Sequence, residues 1–172
     1  MIKEIAQLGA AVLRVHAQPV IDMNGDETRA LIASMKATLA NTQGVGLAAP
    51  QIGASQRIVI IASRPTPRYP NAPMMEPTVM INPSFQPASD AKEKGWEGCL
   101  SIPGIRALVP RFKEIRIGYT DEQGAFIEAC LHDFIARVFQ HEFDHLNGLV
   151  FLDRVESNRD IFSESEYAKL LS

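Results

Sequence analysis

The sequence predicts a single α+β domain, and three observations predict it. The chain has 172 residues, the length of one ordinary domain. Two segments, residues 26–41 and 132–147, carry a helical apolar period. Strand-like runs stand before and between those helices rather than alternating with them one by one. A chain of this size buries roughly two-thirds of its unfolded surface. No internal repeat or domain boundary interrupts it, so residues 1–172 read as one domain with a tail from about residue 160.

The elements follow in order. Residues 26–41 place Leu31, Ile32, Met35 and Leu39 on one face, with Asp26 and Glu27 in the first turn and Asn24 as a possible cap. A glycine-rich segment, residues 44–53, comes next, and residues 57–62 (RIVIIA) read as a buried strand. Residues 64–77 hold Pro65, Pro67, Pro70, Pro73 and Pro77, which predicts an irregular loop because proline cannot sit inside a ladder. Residues 79–82 predict a short strand. Residues 113–119 and 125–131 alternate as a hairpin would, across a turn at 121–124. The second helix has Phe134, Ile135, Val138 and Phe139 as apolar members and Gly148 as its stop. Residues 149–152 predict a last strand, and residues 160–172 a weak acidic helix.

Composition narrows the function. Hydrophobic residues make up 46% and charged residues 22%, a globular balance. With 17 basic and 20 acidic residues the net charge is −3, which argues against nucleic acid as a direct partner. The N-terminus has no apolar run of signal-peptide length, and no stretch approaches the roughly 20 apolar residues of a membrane helix. A cytoplasmic location without membrane contact is expected. Two cysteines, Cys99 and Cys130, are too few for a disulfide scaffold. Cys130 reads as a small buried hydrophobe.

The strongest chemical signal is His141-Glu142-Phe143-Asp144-His145. On a helix the two histidines stand at i and i+4, so both imidazoles can reach one metal ion. Glu142 then lies beside the ion's open position, where a carboxylate can take a proton from water. A catalytic site of this kind needs a third protein ligand. Two sources are open: a downstream carboxylate, Glu164 or Glu166, as in a zinc metalloprotease, or Cys99 in Glu97-Gly98-Cys99-Leu100-Ser101. Asp144 is expected to pair with Arg106 or Arg111 behind the site.

A third segment, Gly44-Val45-Gly46-Leu47-Ala48-Ala49-Pro50-Gln51, contains a G-x-G-x-x-A pattern. It follows a helix and runs into a proline, which is the wrong context for a dinucleotide loop. Small residues there let a backbone lie against an extended ligand, and the Gln51 amide can donate to an oxyanion.

In order and spacing, these three segments resemble the signature motifs of peptide deformylases. The likeness extends to residues 8–14 and to Ile102-Pro103-Gly104. It implies a compact α+β fold of mostly antiparallel strands around a central metal-binding helix. It implies hydrolysis of the N-formyl group of formylmethionine on newly made proteins, with release of formate. It selects Cys99, His141 and His145 as ligands of one divalent metal ion, with Fe(2+) expected and Zn(2+), Ni(2+) or Co(2+) possible in preparations. Glu142 becomes the proton carrier, and the Gln51 side chain and Leu100 N–H become oxyanion donors.

By the same resemblance Val45, Gly46, Glu97 and Gly98 line the peptide, and Phe134, Arg137 and Val138 line the methionine pocket. Arg137 replaces a more apolar residue of many relatives, and is expected at the pocket rim or paired with Glu97. Nascent formylated peptides are the implied partners, with transient ribosome contact. The tail is acidic, whereas relatives that dock on the ribosome use a basic tail helix, so the docking mode is expected to differ. A metal-binding module without activity is the remaining alternative.

Overall fold

The computed structural model describes residues 1–67 and 69–171. Helix α1 is Asp26–Ala40, and its N-cap is Gly25 rather than Asn24. Strands β1 (Gly46–Ala48) and β2 (Ile58–Ser63) open a five-stranded antiparallel sheet. Strands β3 (Met75–Pro87), β6 (Glu114–Thr120) and β7 (Phe126–His132) complete it in the order β1-β2-β3-β6-β7. A second sheet joins β4 (Lys92–Cys99), β5 (Ile102–Phe112) and β8 (Ile161–Ser163). Helix α2 is Asp133–Leu146 and helix α3 is Glu164–Leu170.

Strand β2 explains the layering. Val59 and Ile61 join a core with Ala136, Val138, Phe139 and Leu146 of α2. Ile58 and Ile60 face the other way, onto Ile32, Met35 and Leu39 of α1. Both faces of β2 are covered, so its sequence is a continuous apolar run rather than an alternation. A third core sets Cys99, Ala107 and Val109 of the second sheet against Val150 and Phe151. Helix α2 thus lies inside the molecule, between the two sheets.

Several elements differ from the sequence expectation. The proline-rich segment is irregular only up to Met74, because β3 begins at Met75. Pro77 falls where the β2–β3 register shifts between Ile61 and Ser63, a bulge that spares the ladder its missing N–H. The short strand 79–82 continues through a second bulge at Asn82, which has φ +49°; its side-chain amide pairs with both main-chain groups of Val20 at 2.9 Å. Residues 149–152 are not a strand. Phe151–Arg154 forms a 3-10 turn, capped by the Asp153 carboxylate accepting from Val150 N–H at 2.8 Å. The tail contributes β8 before its helix; Ser172 lies outside the described residues.

Candidate metal centre and active site

Helix α2 delivers two imidazoles and a carboxylate. His141 and His145 stand one turn apart with ring centroids 5.2 Å from each other. The helix stops just beyond them, where Asn147 and Leu149 N–H both donate to Asp144 O and Gly148 takes φ +73°. Cys99 arrives from the second sheet. The β4–β5 hairpin turns at Leu100–Ser101, pairing Cys99 with Ile102. Its Sγ lies 3.4 Å from His145 Nε2, and donor atoms of Cys99, His141 and His145 all fall within 4.8 Å of one another. All three residues are buried. A thiolate and two imidazoles suit zinc or ferrous iron, and three protein donors leave a fourth position free for chemistry. The donor set fits one divalent ion.

Behind the imidazoles runs a buried ionic chain. Glu97 Oε1 lies 3.2 Å from His141 Nδ1. The Arg111 guanidinium donates to both Glu97 oxygens at 3.2–3.3 Å and to Asp144 Oδ2 at 2.6 Å. Arg154 closes the far end on Asp144 at 2.8 and 3.1 Å. Burial alone would raise the Glu97 carboxyl; Arg111, His141 and Arg137 outweigh it and hold the group at about 2. Glu97 therefore stays charged against His141 while also lining the cleft. Of the two partners expected for Asp144, Arg111 is present; Arg106 pairs instead with Glu164 at 3.0 Å.

Glu142 occupies the opposite environment. Its Oε2 is buried with no hydrogen-bond partner among the described residues. A Cβ added to Gly46 would stand 2.5 Å from Glu142 Oε1, so the glycine is what lets β1 pass over the carboxylate. Burial pushes the Glu142 carboxyl up to about 7. Gln51 is held in one orientation: Oε1 accepts from Ala48 N–H at 2.8 Å, and Nε2 donates to Ser101 Oγ at 3.2 Å and points to Cys99 Sγ at 3.6 Å.

A cleft of about 560 Å³ opens in front of these groups. Val45, Gly46, Gly98, Leu100, Phe134, Arg137 and Val138 all line it, as do Gln51, Glu97, Cys99, His141 and Glu142. The Arg137 guanidinium is anchored on Val109 O and Glu93 O, each at 2.7 Å, and lies 3.7 Å from Glu97 Oε2. Of the two expectations for Arg137, the structure shows the pairing with Glu97, and the residue lines the cleft.

Neither carboxylate of the protease alternative reaches the centre. Glu164 binds Arg106, and Glu166 binds Lys169 at 2.7 Å. Cys130 is exposed on β7, an edge strand with one open face, and is not a core residue. Sequence reasoning also missed cleft residues. Tyr69 enters from the proline-rich loop, with its ring 4.9 Å from Phe134. Arg106 lines the cleft although it is only 2% exposed. Two arginines spaced five apart in an otherwise apolar segment were the available signal, since a buried cation needs a buried anion.

The sequence profile of the polypeptide deformylase family matches residues 2–160. Peptide deformylase 2 of Nostoc sp. is 51% identical over 168 residues, covering 98% of this chain and 94% of the relative. Peptide deformylase 1 of Bordetella pertussis is 47% identical over 155 residues, covering 90% and 88%. Among solved structures, the Met-Ala-Ser-bound class I type b peptide deformylase of Acinetobacter baumannii superposes with a TM-score of 0.87. It is 41% identical, over 90% of this chain and 99% of that one. A family profile over nearly the whole chain, relatives at this identity and a Cys-His-His donor set inside the matching fold lead to one conclusion: this chain belongs to the peptide deformylases, a family of metal-dependent hydrolases.

Proposed function

We propose that Cys99, His141 and His145 hold a single Fe(2+) and that the chain uses it to deformylate the N-terminal formylmethionine of nascent proteins. The observation that carries this reading is the convergence of those three donors at one cleft with the Glu142 carboxylate, whose Oε2 has no hydrogen-bond partner among the described residues. When bound, the ion supplies Lewis acidity, polarising the formyl carbonyl and lowering the pKa of water towards neutrality. Glu142 takes the proton of the attacking water and returns it to the departing amine. A carboxylate whose affinity for a proton lies near neutrality can do both. The Gln51 Nε2–H and the Leu100 N–H donate to the oxygen of the formyl group as it becomes an oxyanion. Ser101 and Ala48 keep the Gln51 amide aimed there.

The peptide main chain lies along Val45, Gly46 and Gly98 as an added strand. Phe134, Val138 and the stem of Arg137 receive the methionine side chain. Glu97 acts from behind, through His141. The Met-Ala-Ser bound in the Acinetobacter baumannii relative supports a peptide in this cleft. No helix among the described residues is long and apolar enough to cross a membrane. Work on nascent chains calls for a location in the cytoplasm. Contact with the ribosome is transient and does not run through a basic face of α3, which carries Glu164 and Glu166 against Lys169. The test is formate release from formyl-Met-Ala-Ser by anaerobically prepared, iron-loaded protein, with Glu142→Ala as control. Turnover by the wild type and its loss in the variant are expected. Absence of turnover in the wild type would overturn the reading.

A further inference from the structure

Arg106 has an unusual set of neighbours. Its backbone belongs to β5, opposite Phe162 of β8. The residue is 2% exposed yet lines the cleft, with its guanidinium against Gly98. A Cβ on residue 98 would overlap Arg106 Nη1, so the arginine fills the space a side chain there would take. Nη1 reaches Tyr69 Oη at 3.5 Å. Nη2 donates to Glu164 Oε1 at 3.0 Å, and the guanidinium lies 5.6 Å from the ring centroid of Tyr167. Nε is buried and has no partner among the described residues.

Glu164 and Tyr167 both belong to α3, beyond residue 160 where the family profile ends. The tail is fixed to the second sheet by more than this pair, since the Trp96 ring packs at 4.9 Å against both Phe162 and Tyr167. Apolar contacts of that kind are enough to dock a short helix. A buried cation that leaves one N–H unmet adds a cost to docking, and an apolar residue would avoid it. What the arginine adds is a planar group of defined orientation beneath the glycine that meets the peptide.

We infer that the C-terminal segment is a positioning element of the cleft: Glu164 and Tyr167 hold Arg106 under Gly98, and Arg106 sets the wall against which the formylated peptide lies. This rests on the peptide-binding reading of the cleft given above. Among the described residues Arg106 makes no hydrogen bond or ion pair with Cys99, His141, His145 or Glu142, so its loss acts on peptide binding and not on the chemical step.

The test is steady-state formate release from formyl-Met-Ala-Ser by the full-length, metal-loaded enzyme, comparing wild type, Arg106→Ala, Glu164→Gln and the double variant. A charge-assisted hydrogen bond sets the scale: KM rises about tenfold in Arg106→Ala and about threefold in Glu164→Gln, with kcat within about twofold. Bound metal is unchanged. In the Arg106→Ala background, Glu164→Gln adds nothing, because its effect passes through the arginine. If Arg106→Ala does not fold, Arg106→Lys replaces it in the cycle, with a smaller KM rise expected. Unchanged KM in both single variants, or effects that multiply in the double, would overturn the inference. A wild type without formate release would instead remove the deformylase reading beneath it, so the two failures are distinguishable.

Discussion

Glu97 Oε1 lies 3.2 Å from Nδ1 of His141, one of the three clustered metal donors. That contact engages one ring nitrogen and leaves Nε2 as the other, which is how an outer carboxylate commonly orients a ligating histidine. Glu97→Gln keeps the shape but removes the charge. Metal affinity is expected to fall about 10–100-fold, measured by competition with a chelator. An affinity equal to that of the wild type would mean that the carboxylate does not orient the ligand.

Arg111 stands between two buried carboxylates, Glu97 and Asp144, and is 4% exposed. Removing the cation takes the shared partner from two buried anions and leaves Asp144 to Arg154 and Glu97 to Arg137 and His141. Arg111→Met is expected to destabilise the fold by about 3–5 kcal/mol, seen as a lower urea midpoint. A midpoint close to that of the wild type would show that the chain tolerates the two charges without it.

Gly46 leaves room for Glu142 and for nothing more. Gly46→Ala pushes the carboxylate aside while the three metal donors stay in place. Formate release is expected to drop by about 10²–10⁴, the usual worth of a positioned proton carrier, with metal content intact. Parallel loss of metal and activity would point to collapse of the whole site instead.

Gln51 offers its amide beside Cys99 at a fixed orientation. Gln51→Leu removes the donor at similar size. The expected result is a fall in kcat of about 10²–10³ while the variant still binds metal. A kcat within a few-fold of the wild type would leave the oxyanion to the Leu100 N–H and the metal alone.

Much of this site was legible in the chain because its information is local. Two histidines at i and i+4 need only a helix to converge, and α2 follows from its apolar members and the Gly148 stop. The run from Ile58 to Ile61 reads as a strand for a similar reason: it is apolar on both faces and lies between two helical layers. The β4–β5 hairpin was not legible. Lys92 to Cys99 mixes charges with two glycines, and Ile102 to Phe112 contains Pro103 and Pro110, so neither shows a strand period. These strands are defined by their pairing and by the cover that Val150 and Phe151 supply. The cleft positions of Arg106 and Tyr69 escaped for the same reason, since their partners lie far along the chain on α3, β4 and α2. Cys130 was misplaced because an apolar neighbourhood in sequence does not reveal that β7 is an edge strand.

X-ray absorption spectroscopy at the metal edge of the anaerobically purified protein tests the central claim most directly. One sulfur scatterer at about 2.3 Å with two imidazole nitrogens is the predicted first shell, from Cys99, His141 and His145. A first shell without sulfur, built from nitrogen and oxygen alone, would contradict it.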